Sequence, residues 1–219
     1  MATIIDNTYF EKGWIFIPNN KDLNASPVGS PSAQSGIDFF IEEYERELLL
    51  NSLGVTLYNE LQTALLDLPA SDQKWQDLVN GKDYAIDGKT KRWNGLKGAN
   101  QQSLIAFYVY CQYLRNDNST YLTTGIAQNT ANNAERSDPS PKFVKAWNRF
   151  LEQYQGNGYN YGYPTVIYNR SGMVGLDYYG QGNVESNLFQ YLTDQNTLTP
   201  TDFPDFEFKF YESYNTMGI

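Results

Sequence analysis

The residues able to do chemistry in this chain are few, and their spacing works against them. The densest set of carboxylates is Glu42, Glu43, Glu45 and Glu47. At helical spacing these four point in different directions around the axis, so they do not converge as a general acid–base pair and read as a solvated face. Asp202, Asp205 and Glu207 form a second acidic group, whose spacing does not match a calcium loop. The chain contains no histidine. That removes the commonest general base, the usual partner of a Ser or Cys nucleophile and the commonest metal ligand. The single cysteine, Cys111, cannot form an intrachain disulfide. It lies in an apolar run and reads as a small core residue. No phosphate loop or dinucleotide fingerprint occurs, because the glycines near the basic residues (Gly88, Gly95, Gly98) have the wrong spacing. The expectation is a protein without catalytic residues, metal or cofactor.

One basic cluster stands out. Gly88–Gly98 carries Lys89, Lys91, Arg92 and Lys97 beside Trp93 and no acid. Three readings are open: a solvated turn, a contact with an acidic protein neighbour, or a transient contact with DNA. Four cations support only weak, salt-sensitive DNA binding. The net charge of −9 argues against tight nucleic-acid binding by the whole surface. Most of that charge is C-terminal, since residues 171–219 carry seven acids against Lys209 alone.

These groups must be positioned by helices. With 219 residues and 41% hydrophobic content, the chain can bury a substantial core. A first helix is predicted from Ser35 or Asp38 to about Leu53, with Phe39, Phe40, Tyr44, Leu48 and Leu49 at helical spacing and Gly54 as its stop. A second is predicted over Val55–Leu66, closed by Pro69, and a third over Gln73–Asn80, capped by Asp72 and stopped by Gly81. Asp87-Gly88 predicts a two-residue hairpin turn within Tyr84–Trp93. The run Ala99–Arg115 is apolar on nearly all sides, which makes it the central helix. Residues 116–136 read as a long polar loop. A further helix runs from a cap at Ser137 or Asp138 to about Tyr154, with Phe143, Val144, Trp147, Phe150 and Leu151 on its apolar face.

Both flanks differ in character. Residues 1–36 read as an N-terminal arm with one short strand, Trp14–Pro18, followed by an Asn/Ser/Pro/Gly loop. Residues 156–219 read as an aromatic, acidic C-terminal extension. Its first part alternates Gly, Asn and Tyr, Val184–Gln195 allows a short helix, and Phe206–Tyr211 alternates for a strand with Phe206, Phe208 and Phe210 on one face. The expected architecture is therefore mainly α: a helical bundle over 37–155 with a small β-hairpin and extended terminal segments bearing short strands. The flanks suit docking on neighbours, with Trp14, Phe16, Lys89, Lys91, Arg92, Trp93, Phe206, Phe208 and Phe210 as interface candidates. The 18 tyrosines fit either a half-buried surface or an interface. No stretch approaches the ~18 apolar residues that span a bilayer. No secretory signal is evident in MATIIDNTYF, so synthesis in a reducing cytoplasm is expected.

A series of positions gives a family resemblance: Phe40-Ile41-Glu42-x-Tyr44-Glu45 with Leu48-Leu49 and Leu53-Gly54-x-x-Leu57-Tyr58; Trp75-x-x-Leu78-x-Asn80-Gly81-x-x-Tyr84; Trp93-x-Gly95-Leu96; Ile105 to Tyr110; Tyr113-Leu114-Arg115; Thr124-Gly125; Asn133-Ala134; and Ala146-Trp147-Asn148. Over 37–155 the chain resembles the head-to-tail connector (adaptor, or neck) proteins of tailed bacteriophages, of the type carried by phages of Bacteroides-type hosts. The resemblance implies a helical subunit of a dodecameric ring in the virion neck. Such a ring joins the portal protein to another neck or tail protein, and genomic DNA meets it only in transit. It implies synthesis in the host cytoplasm, no membrane association and no catalytic residues. A different reading attaches to the Tyr/Asn/Gly segment 154–182, whose rings suit the stacking of sugars in an aromatic carbohydrate-binding module.

Overall fold

Helix α1 (Ile37–Ala64) covers both of the first two predicted helices, and Gly54 is the joint between them. In the computed structural model Gly54 has φ 77° and ψ 172°, backbone that only glycine adopts readily, so the predicted stop is a sharp kink. The structure describes residues 2–17, 37–117, 120–122, 125–127, 140–156 and 184–212. Among them are four further α-helices: α2 (Gln73–Asn80), α3 (Leu104–Asp117), α4 (Ser140–Tyr154) and α5 (Leu188–Leu198). Five short strands accompany these: β1 (Lys82–Ile86), β2 (Lys89–Trp93), β3 (Thr120–Leu122), β4 (Gly125–Ala127) and β5 (Val184–Ser186). The fold is mainly α with a small β element.

Helix α3 is the spine. Every residue from Leu104 to Cys111 is buried, as a helix apolar all round requires, and α1 and α4 pack against it. It starts later than predicted. Asn100 and Gln101 both adopt positive φ (54° and 60°), which forces a turn, and Ser103 Oγ then accepts the Ile105 N–H at 3.0 Å to begin the helix.

Helix α2 has its predicted bounds and passes directly into the hairpin. Asp87 and Gly88 both have positive φ (51° and 71°), so the Asp-Gly turn forms as expected and pairs Ile86 with Lys89. Gly81 and Gly95 let two backbones touch, since a Cβ on Gly81 would stand 2.5 Å from the Trp93 carbonyl oxygen. The close approach lets the Leu96 and Lys97 N–H groups cap the Leu78 and Val79 carbonyls, both at 3.0 Å.

The structure corrects four sequence expectations. Trp14–Ile17 joins no strand ladder: Ile15 and Ile17 are buried, and the Ile17 N–H bonds back to the Phe10 carbonyl at 3.0 Å, so the segment folds on itself. Val184–Ser186 is strand, not helix, and pairs in parallel with β2 in the sheet order β1-β2-β5; helix starts only at Leu188, where the Asn187 side chain caps it. The polar stretch 116–136 is not all loop, because β3 and β4 pair antiparallel within it. Phe206–Tyr211 is extended but makes no strand ladder. The predicted loop over 19–36, the caps Ser137 and Asp138, and the Gly/Asn/Tyr stretch 157–183 lie outside the described residues.

The described parts of both flanks share one core with the helices. Ile4, Ile5, Phe10, Ile15 and Ile17 join it from the N-terminal side, and Leu188, Tyr191, Leu192 and Phe203 from the C-terminal side. Among the described residues, no helix is long and apolar enough to cross a membrane.

Candidate functional site

The C-terminal segment Phe206–Glu212, which carries three of the interface candidates, is held against its own chain by side chains of α4 and α5 and by the end of the turn before Gly54. Its placement begins at Gly54. The kink opens the hydrogen-bond ladder of the preceding turn, and the Asn51 carbonyl there accepts the Lys209 N–H at 2.7 Å. Side chains of α4 and the residue after it bind four more of the segment's main-chain groups. The Tyr154 hydroxyl donates to the Lys209 carbonyl at 3.1 Å, and the Trp147 indole N–H donates to the Glu212 carbonyl at 2.8 Å. The Gln155 amide grips Tyr211 twice: Oε1 accepts the Tyr211 N–H at 2.8 Å, and Nε2 donates to the Tyr211 carbonyl at 2.7 Å.

The alternation read from the sequence decides which rings go where. Phe206, Phe208 and Phe210 all face Phe189 of α5, with ring centroids 6.3, 5.0 and 5.0 Å away. Phe208 also stacks on Tyr154 at 4.4 Å. Tyr211 points the other way into a nest of Tyr108, Trp147, Phe150 and Tyr154, all within 5.8 Å. Its hydroxyl accepts from Asn51 Nδ2 at 2.9 Å. Beside it lies a cleft of about 360 Å³ walled by Tyr108, Trp147 and Phe210 and rimmed by Glu47, Arg115 and Glu212. Arg115 lies over the Phe143 and Trp147 rings. Burial holds the Tyr108, Tyr154 and Tyr211 phenols above the usual tyrosine range, so they stay protonated; Tyr108 donates to Glu47 and Tyr154 to the Lys209 carbonyl.

The other interface candidates divide. Phe16 and Phe210 are about half exposed, at 50% and 58%. Phe206 and Phe208 are partly buried against the core. Trp14 stacks on Phe107 at 5.2 Å with Lys145 above its ring, so its nearest partner is its own chain. Trp93 is not a surface residue: it is buried, stacks on Tyr191 and donates its indole N–H to the Leu78 carbonyl at 2.9 Å. The basic hairpin is not simply solvated. Lys91 reaches Asp194 Oδ2 at 2.7 Å, and Arg92 pairs with Asp83 across the hairpin at 2.9 Å. The acidic partner of Lys91 thus comes from this chain's own C-terminal extension. Lys89 is half-buried at the start of β2.

Glu45 departs furthest from expectation. It is buried, not on a solvated face, and its carboxylate accepts the Ile4 and Ile5 N–H groups at 2.7 and 3.3 Å. Burial pushes its carboxyl up to about 7, against the two hydrogen bonds that favour the ion. Glu42 and Glu43 are exposed as expected. Cys111 is buried in the core, also as expected. Among the described residues, no three His, Cys, Asp or Glu side chains cluster to hold a metal ion. Tyr154, which opens the segment suggested for sugar stacking, has its ring fully buried.

Sequence reasoning missed Asn51, Gln155 and Phe189. A lone amide and a lone ring carry no pattern, and only the position of Gln155 one residue past α4 hints at a capping task. No protein-family model, curated protein or solved structure matches the chain.

Proposed function

We propose that the chain is a structural subunit of the neck of a tailed bacteriophage. Copies of it close into a ring that joins the portal to the next neck or tail protein and continues the DNA channel. The subunit needs no catalytic group or cofactor, and its work is to hold shape and present surfaces. The reading rests on the resemblance over 37–155 and on one structural observation. Large apolar side chains remain outside a well-filled core: Phe16, Phe39, Val55, Leu66, Leu198 and Phe210 are 46–80% exposed. A closed ring requires each copy to present two different surfaces, one to each neighbour, and such side chains supply contact area.

The electrostatics favour passage of DNA over its retention. The net charge is −9, and Lys91 and Arg92 of the basic hairpin are already paired with Asp194 and Asp83. Mass photometry and negative-stain imaging of the purified chain, alone and with a portal, test the reading. Rings or portal-bound particles are expected. A strictly monomeric protein that leaves the portal bare would end it.

A further inference from the structure

We infer that the groove holding Phe206–Glu212 is a peptide-recognition site that, in the assembly, takes this segment from a second copy of the chain. The inference deepens the neck reading, on which the identity of the donor rests.

Recognition in this groove is by backbone and alternating rings. The Lys209 N–H and carbonyl, both main-chain groups of Tyr211 and the Glu212 carbonyl are all bound by Asn51, Tyr154, Gln155 and Trp147. All four belong to α1, α4 and the residue that follows α4. None of these bonds depends on the segment arriving from the same chain. An extended segment held by its main chain and by pockets for alternate side chains is a recurring mode of peptide recognition.

The connection upstream has the form of a hinge. Phe203 is buried against Trp75 and Tyr191, so the chain is anchored up to that point. Only Pro204 and Asp205 separate this anchor from Phe206. Asp205 holds φ at 52°, left-handed backbone that a non-glycine residue adopts at a cost. Straightening Asp205 releases that cost and swings the segment away from its own groove. The closed and exchanged forms then make the same contacts, so exchange is opposed mainly by the entropy of association. A ring that already holds neighbours side by side removes much of that opposition by raising the effective concentration of the segment.

The test uses a fluorescein-labelled synthetic peptide of residues 204–212, titrated by anisotropy into the full-length chain. In wild type the resident segment competes. Phe208→Ala in the chain weakens the resident segment and should raise peptide affinity by about tenfold or more, because the competitor loses its stacking on Tyr154 and Phe189. Lys209→Pro removes the N–H bonded to Asn51 at an exposed position and should act in the same direction; it serves if Phe208→Ala lowers helicity by circular dichroism. Adding Gln155→Ala to either variant should cut the affinity by about tenfold, since two hydrogen bonds to Tyr211 are lost. A scrambled peptide should not bind.

If neither folded variant binds the peptide saturably, or if the scrambled peptide binds equally, the inference is wrong. Rings or portal-bound particles without peptide binding would mean that each segment stays in its own groove; the neck reading would then stand and this inference fall. Peptide binding without rings or portal-bound particles would keep the groove as a peptide-recognition site, and would remove both the neck reading and the second copy as its donor.

Discussion

Tyr84 and Asp194 lie 110 residues apart in the chain and 2.7 Å apart in the fold, the phenol donating to the carboxylate. Lys91 reaches the same oxygen at 2.7 Å. The shared acceptor fastens the hairpin to α5, and the stacking of Trp93 on Tyr191 reinforces the seam. The Asp194 side chain is only 6% exposed, so little water is present to replace it.

Asp194→Ala should therefore cost about 3 kcal/mol, because it leaves a lysine and a phenol without their shared acceptor in a largely dry seam. Urea unfolding followed by circular dichroism measures this. Lys91→Met in the same background should recover part of the loss, and a strictly additive double mutant would contradict the coupling.

Glu45 predicts a pH dependence with a definite sign. Its carboxyl ionises near 7 in the fold against an ordinary value of 4.5, so between these pH values the folded chain holds a proton that the unfolded chain has lost. The Glu45 contribution is full below pH 4.5 and drains away as pH rises to about 7, a fall of roughly 3 kcal/mol. Urea midpoints across this window should fall less steeply with rising pH in Glu45→Gln than in wild type.

Gly54→Ala should destabilise by about 2 kcal/mol, since alanine is strained at φ 77°. Its Cβ would also meet the Glu207 side chain at 3.3 Å and press on the docked segment. Glu207→Gly should relieve only this second part, which a double-mutant cycle would reveal.

The sequence alone predicts that removing 200–219 weakens assembly and leaves the helical domain folded. The buried Phe203 changes that expectation. A chain ending at Thr199 should lose roughly 3–5 kcal/mol with the Phe203 ring. A chain ending at Asp205 should keep its helicity by circular dichroism and lose only the docked segment.

Cys111 should resist a thiol reagent such as DTNB in the folded chain and react in urea. It is fully buried, and burial raises its thiol well above the usual cysteine range. Fast labelling under native conditions would contradict the packing of α3.

Local rules carried far where the cause was local. Gly54, Gly81 and the Asp87-Gly88 pair each act through their own φ, so a break at Gly54, the end of α2 and the hairpin were legible in sequence, though the break is a kink within α1 and not the predicted stop. The all-apolar run around Phe107 needed only its composition to be placed at the centre. The alternation of Phe206, Phe208 and Phe210 fixed a shared face, but not Phe189 as its partner. Glu45 was illegible because its burial is set by Ile4 and Ile5, forty residues away, and a run of glutamates on a helix ordinarily faces water. Trp93 and Lys91 read as surface because α5, which covers them, starts almost a hundred residues later. The strand β5 is too short to show a pattern.

The double grip of Gln155 on Tyr211 has a further consequence. Phe206–Tyr211 alternates aromatics with charges, the kind of run that stacks with its own copies into cross-β fibres once its main chain is free. A side-chain amide is chemically the same unit as a peptide bond, so Gln155 satisfies Tyr211 as a neighbouring strand would. Unlike a strand, it presents no second row of donors and acceptors behind it. At Tyr211 that edge of the segment is therefore closed to a further strand. The fold thereby occupies one edge of a cross-β-like stretch with a group that cannot extend the ladder.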